Sequence, residues 1–219
     1  MIMTWIEEII GRPAQLNEAL IILLGSYVLG CFTTGYYFVR WSTGQDIRLL
    51  GSGSVGAKNV WRVSGPFGFF VTLLGDFAKG ALAVWMAAHF STNERLVPLA
   101  VLFVVVGHIW PVQLRFHGGK GVCTSLGALL VFDYSMALAF LGLFAGLLAL
   151  SRRLVLSGLL AFACLPLASI FREQPWADTS TLAVLACLVL IAHRKNIVEE
   201  IAELFAHRQF EPKANQSLK

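Results

Sequence analysis

Two histidines, two cations and a cluster of glycines stand close together in GHIWPVQLRFHGGKGVCT, residues 107 to 124, between two strongly apolar stretches. Apolar segments of that kind need no polar interruption for their own sake. Irregular backbone at membrane depth survives only where it is buried in protein or lines a polar cavity. The Gly118-Gly119-Lys120-Gly121 core offers backbone N–H groups that an anion can approach closely, and one ammonium, which together suit a phosphate. It is not a Walker A loop, which needs Gly-x-x-x-x-Gly-Lys followed directly by Ser or Thr. Taken alone, the stretch reads as a phosphate site or as a plain interhelical turn. His108, three residues before Pro111, reads as a hydrogen-bonded structural side chain or as a proton-transfer group.

A second stretch, GSGSVGAKNVWR at 51 to 62, joins flexible backbone and hydroxyls (Gly51, Ser52, Gly53) to Lys58, Asn59 and Arg62. Such donors bind a phosphate dianion, although the same composition also makes an ordinary linker. A third opens the C-terminal tail, where the spacing of His193 and Asn196 predicts one helical face on which both orient a common ligand. Its plainer reading is a helix end with Arg194 and Lys195 facing lipid phosphates. Asp76 and Lys79 have the same spacing inside an apolar run and are expected to form an ion pair, structural or catalytic.

The elements that carry these residues are membrane helices. The chain has 219 residues, of which 57% are hydrophobic and only 14% charged, and its mean hydropathy is +0.70. A water-soluble domain would carry about 25% charged residues. The sequence therefore predicts an all-α polytopic membrane protein forming one domain over 1–219, with 1–17 an interfacial segment and 193–219 a cytoplasmic tail. Apolar runs at 19–39, 63–90, 97–114, 122–132, 136–150, 154–171 and 181–192 give seven expected crossings. The run at 122–132 is short for a ~30 Å core and is expected to tilt or to thin the bilayer locally.

Charge fixes the expected orientation. With the N-terminus outside, thirteen Lys and Arg fall in inner loops and tail, and only Arg12, Arg95 and Arg172 fall outside. That arrangement gathers all three polar stretches on the cytoplasmic side. The net charge of +4 comes without a basic run, so no nucleic acid is expected as partner. Cys31, Cys123, Cys164 and Cys187 have neither pairing nor metal-ligand spacing, and no metal is expected. The N-terminus shows no basic n-region and no small-residue cleavage site, so no removed signal peptide is expected.

Together these stretches resemble the motifs of the bacterial acyl-phosphate:glycerol-3-phosphate acyltransferases, the PlsY family of seven-span inner-membrane enzymes. GSGSVGAKNVWR stands where that family has approximately Gly-Ser-Gly-Asn-Pro-Gly-Ala-Thr-Asn and a following Arg. GHIWPVQLRFHGGKGVCT stands for Gly-His-x-Phe-Pro and Phe-Lys-Gly-Gly-Lys-Gly-Val-Ala-Thr, HRKNI for His-Arg-x-Asn-Ile, and DFAKG for Asp-x-x-Lys-Gly. The resemblance implies transfer of a fatty acyl group from acyl phosphate to the 1-hydroxyl of glycerol 3-phosphate, in the bacterial inner membrane, without metal, CoA or other cofactor. It implies a site of Ser52, Arg62, His108, Lys120, His193 and Asn196. On that assignment Arg62 and Lys120 take substrate phosphate, and Ser52 with neighbouring glycine N–H groups holds the acyl phosphate. His108, His193 and Asn196 then position the glycerol phosphate, while a substrate phosphate accepts the hydroxyl proton.

Ser54, Val55, Lys58 and His117 depart from the family pattern, and Glu199 stands near where a basic residue commonly follows the third motif. A divergent relative using another acceptor is therefore one alternative. A small anion transporter is another, although no internal repeat of the kind common in transporters is visible. Oligomeric state is left open.

Overall fold

A computed structural model describes residues 13 to 200 and residue 202. Expectations for 1–12 and for the tail beyond 202 lie outside the described residues. The described chain is helical: α1 Pro13–Cys31, α2 Thr34–Thr43, α3 Ala57–Phe90, α4 Leu96–Ile109, α5 Val122–Phe132, α6 Tyr134–Ser151, α7 Leu154–Phe171 and α8 Trp176–Ala192. A short helix, α9, Arg194–Glu200, follows at 69° to α8. Single turns of 3-10 helix at Ile47–Leu49 and Val112–Leu114 sit in the two polar loops.

Of the expected seven-span architecture the described residues show an all-helical membrane bundle with five to six candidate spans. Five apolar stretches are long enough to span: Leu16–Thr43, Ala57–Phe90, Leu96–Leu114, Tyr134–Ser151 and Leu154–Phe171. The bent pair of α8 and α9 makes a sixth. The remaining helix, α5, has 11 residues and so rises only ~17 Å, about half the hydrocarbon thickness. Its middle is buried, at Thr124, Ser125, Gly127, Ala128 and Leu129, while Leu130 and Val131 near its end are exposed. The run at 19–39 is also not one helix, because residues 32 and 33 interrupt it between α1 and α2. Helix α3 is broken too: Gly65 adopts φ 75° and ψ −169° directly before Pro66. Proline removes an intrahelical hydrogen bond and clashes with the preceding turn, so the segment 57–64 is set off from the long membrane part of α3.

Two close crossings hold the bundle at the level of the site. Helix α1 lies on α4 through Gly30 and Gly107, where an added Cβ would meet Val104 O at 2.1 Å and Tyr27 O at 2.2 Å. Helix α3 lies on α5 through Gly80 and Gly127, where it would meet Thr124 O at 2.1 Å and Phe77 O at 1.9 Å. Lipid tails are as apolar as the helix surfaces, so membrane helices associate through such close backbone packing. Around these crossings a core of Val101, Val104, Val105, Leu129, Phe140, Phe162, Leu165, Leu185 and Val189 joins α4 through α8.

A side chain at these crossings has no room, whereas Gly142 and Gly146 on α6 have no atom within 4 Å of an added Cβ. The variants G80V and G127V are expected to lose at least about 2 kcal/mol of stability through overpacking. G142A and G146A should leave it unchanged or raise it by up to about 1 kcal/mol, since glycine is the weaker helix former. Thermal unfolding in detergent micelles, followed by circular dichroism, separates the two classes.

Candidate active site

The first polar loop is folded around one side chain. Asn59, buried in the first turn of α3, accepts from Ser52 N–H through Oδ1 at 2.9 Å. Its Nδ2 donates to Leu50 O at 3.0 Å and to Ser54 O at 2.9 Å. The loop can close this tightly because Gly51 and Gly53 take φ of 56° and 71°. The Gly53 N–H is itself committed to Leu50 O at 3.0 Å. Gly51, Gly53 and Asn59, all expected to bind phosphate, thus shape the turn that presents Ser52.

The second loop is folded around His108. Gly118 N–H donates to Ile109 O at 3.1 Å, and Gly119 N–H donates to His108 O at 3.0 Å. Both N–H groups expected for phosphate are therefore used in capping the end of α4. Only glycine fits there, because an added Cβ would lie 2.1 Å from His108 O at Gly118 and 2.1 Å from His108 Nε2 at Gly119. The two polar loops are tied together by Arg48, which pairs with Asp46 at 2.6 Å and donates to Leu114 O at 2.9 Å.

Asp76 and Lys79 form the expected ion pair, at 3.0 Å, and it closes the break between α1 and α2. The Lys79 ammonium donates to Gly30 O at 3.0 Å and to Phe32 O at 2.7 Å. Asp76 Oδ1 accepts from Thr34 N–H at 3.3 Å. Cation on the carbonyl end and anion on the amide end matches the sign of both helix dipoles. His108 Nδ1 lies 2.8 Å from Lys79 Nζ.

In the third stretch the chain bends at His193 between α8 and α9, so His193 stands at the bend and Asn196 in the first turn of α9, where His193 O accepts from Ile197 N–H at 3.0 Å. Lys120 donates to Asn196 Oδ1, and His193 Nδ1 meets Val189 O at 2.8 Å. A carbonyl can only accept, so Nδ1 carries hydrogen there, and a neutral His193 presents Nε2 as an acceptor. Arg153, paired with Glu200 at 2.7 Å, fastens α9 to the start of α7.

All of this surrounds one cavity of about 350 Å³. Its polar part is lined by Ser52, Ser54, Lys58, Asn59, Arg62, Asp76, His108, Lys120, Gly121, His193 and Asn196. Lys79, Gly51, Gly53, Gly118 and Gly119 are not among the lining residues. Lys58 and Arg62 are exposed, while Lys120 is half-buried. Burial pushes the Lys120 ammonium below its usual range, and Lys58 and Arg62 push the same way against Glu199. His117, exposed and turned to Arg115 O at 2.6 Å, takes no part in the lining.

A model of the glycerol-3-phosphate acyltransferase family matches residues 20–203 of this chain. The chain belongs to that family. It is 46% identical over 180 residues to glycerol-3-phosphate acyltransferase 1 of Desulfitobacterium hafniense (strain Y51), covering 82% of this chain and 89% of the relative. It is 41% identical over 188 residues to the glycerol-3-phosphate acyltransferase of Synechococcus sp. (strain CC9902), covering 86% and 94%. Among solved structures it resembles PlsY (YgiH), an integral membrane glycerol 3-phosphate acyltransferase, in its glycerol 3-phosphate form. There the TM-score is 0.78 at 30% identity over 85% of this chain and 93% of that one. The lysophosphatidic acid form gives a TM-score of 0.76 at 28% identity, with the same coverage. This acyltransferase is accordingly a multi-pass integral membrane protein.

Sequence reasoning missed the apolar limb of the acyltransferase cavity. Phe69 and Leu73 of α3, Leu126 of α5, Phe140, Leu141 and Phe144 of α6, and Leu154, Val155, Gly158 and Leu159 of α7 line it. No local signal marks them, since an apolar residue facing a cavity looks the same in sequence as one facing lipid.

A buried polar group left without its partner costs about 1–3 kcal/mol, and Asn59 satisfies three. N59A is expected to release the loop at 50–56, raising its amide exchange about tenfold or more and lowering acyl transfer in step. Hydrogen exchange read by mass spectrometry, alongside turnover, checks this.

Proposed function

We propose that the protein moves a fatty acyl group from an acyl phosphate to the 1-hydroxyl of glycerol 3-phosphate, in the inner membrane of a bacterium. The observation that carries this reading is the two-part cavity: one end gathers Lys58, Arg62 and Lys120, and the other is walled by apolar side chains of α3, α5, α6 and α7. An acyl phosphate has that same division, with a dianionic head and a hydrocarbon tail. Polar residues and positive charge set the orientation, with the loops at 40–62, 110–121 and 152–153 facing the cytoplasm. Glycerol 3-phosphate enters from that side and the acyl chain from the bilayer.

Arg62 and Lys120 hold substrate phosphate through charge-assisted hydrogen bonds. Helix α3 adds its N-terminus, where Gly56 at the N-cap makes no side-chain cap, so amide hydrogens and the positive end of the helix dipole face an anion beside Lys58. Ser52 and the wall around it hold the acyl phosphate. His193, with Nε2 as acceptor, and Asn196, fixed by Lys120, orient the glycerol phosphate and its hydroxyl. Attack forms the new ester C–O bond, and the bond from the acyl carbon to the phosphate oxygen breaks. The hydroxyl proton ends on the released phosphate. The leaving group is already good, so positioning and charge stabilisation supply most of the acceleration. Lys58, which departs from the family motif, lies on the cavity wall and adds charge at the phosphate end.

Purified protein given palmitoyl phosphate and glycerol 3-phosphate should release phosphate and form 1-acylglycerol 3-phosphate, and neither should appear without acceptor. A folded, lipid-bound protein that makes no product from glycerol 3-phosphate would show that another acceptor is used. R62A should lower kcat/KM by about 10- to 100-fold, the worth of a hydrogen bond to a charged group. Unchanged KM and kcat in R62A would remove Arg62 from the site.

A further inference from the structure

The second histidine of the cavity faces the Lys79 side chain, and a charged ammonium there permits one proton arrangement at the ring nitrogen it meets. His108 is buried in the last turn of α4, and its Nδ1 stands 2.8 Å from the Lys79 ammonium. Paired with Asp76 as an ammonium, Lys79 has three N–H groups and no acceptor; its four neighbours share those three hydrogens, and Nδ1 meets the cation with a lone pair. An imidazolium would set an N–H against an ammonium at that distance. The other partners of Lys79 fix its direction: Gly30 O at 3.0 Å and Phe32 O at 2.7 Å in the break between α1 and α2, and Asp76 Oδ1 at 3.0 Å. Asp76 Oδ1 is 3.7 Å from His108 Nδ1, beyond hydrogen-bond reach. Cys31 and Cys123 are also near Lys79; Cys31 is buried at the end of α1, and Cys123 lies on the cavity wall at the start of α5.

With Nδ1 occupied as an acceptor, the ring proton is on Nε2. That atom lies against Gly119, where a Cβ would stand 2.1 Å away, and it engages no acceptor among the described residues, while His108 lines the cavity. We infer that Lys79 is a positioning residue: it fixes His108 as the Nε2–H tautomer, so that His108 donates a hydrogen bond to an oxygen of the bound substrates and takes no proton from them. The cavity then holds two imidazoles of opposite polarity. His193, anchored through Nδ1–H to Val189 O, offers Nε2 as an acceptor for the hydroxyl. His108, anchored through the lone pair of Nδ1, offers a donor for an oxygen that carries or gains negative charge. Lys79, which is not among the residues lining the cavity, acts on the reaction through His108 without touching substrate.

This inference rests on the proposed acyl transfer only for what the donor meets; the tautomer itself is independent of it. Protein labelled with nitrogen-15 histidine has five such residues, and the His108 signals are those lost in H108Q. In wild-type protein the expected spectrum shows Nε2 protonated and Nδ1 bare, and a protonated Nδ1 would overturn the inference. In the charge-balanced variant D76N/K79M, the Nδ1-protonated form should appear at His108. A tautomer that stays unchanged in the folded double variant would remove Lys79 from this role. By activity, H108Q keeps a donor at the ε position and should exceed H108N, whose amide reaches only the δ position, by about tenfold or more, within the usual worth of a preorganised donor. Equal losses in two folded variants would argue against donation. Absence of acyl transfer in the wild type would sink the proposed function while leaving the spectrum readable.

Discussion

A salt bridge of two adjacent helical turns, Asp76 with Lys79, holds the site together. Inside a bilayer a break in a helix exposes carbonyls and amides that no water can satisfy. This chain breaks its first membrane helix at residues 32 and 33 and answers the break with charge. Lys79 covers Gly30 O and Phe32 O, Gln113 covers Cys31 O at 2.5 Å, and Asp76 receives the Thr34 amide. Neither charge would be tolerable alone at that depth, and neither half of the helix would end there without them. The same ammonium reaches His108, so the repair of a helix break and the setting of a cavity histidine are one arrangement.

Glycine makes that arrangement possible. Gly30 and Gly107 bring α1 and α4 so close that His108, one residue beyond Gly107, reaches the lysine that repairs the break. Gly80, one residue beyond Lys79, brings α3 against α5 in the same way. At Gly118 and Gly119 the second polar loop folds back under α4, where its amides cap the helix and its bare Cα atoms leave room for the imidazole. Much of what looks like phosphate-binding glycine is therefore close-packing glycine. The positive charge at the polar end of the cavity comes instead from side chains, Arg62, Lys120 and Lys58.

The cavity joins two solvents. Its polar end is built from loops and helix ends, where backbone can turn and charge can stay hydrated, and its apolar limb from the flat faces of α3, α5, α6 and α7. The short helix α5 suits this position. A helix of 11 residues starts beside Lys120 at one end and is packed against α3 along its length, so that its N-terminal turn reaches the cavity.

The sequence by itself determined the solvent, the class of structure and the chemistry. An apolar fraction of 57% with 14% charge leaves only a membrane bundle, and three polar stretches in apolar surroundings mark where the bundle does something. Ser52, Arg62, His108, Lys120, His193 and Asn196, which line one cavity, stood out in the sequence because charge and polarity near lipid are costly and need a reason. The partnership of Asp76 and Lys79 was legible from helical spacing. Tertiary structure alone showed how the first run is divided, since a hydropathy run carries no sign of a break at residue 32, whereas the shortness of 122–132 was already visible in the sequence. It also decided which glycines lie against a neighbouring helix, because that depends on distances between segments far apart in the chain. The bend at His193 and the apolar limb of the cavity were likewise invisible. A side chain's direction, and whether it meets lipid or a bound acyl chain, is set by the neighbours that packing supplies.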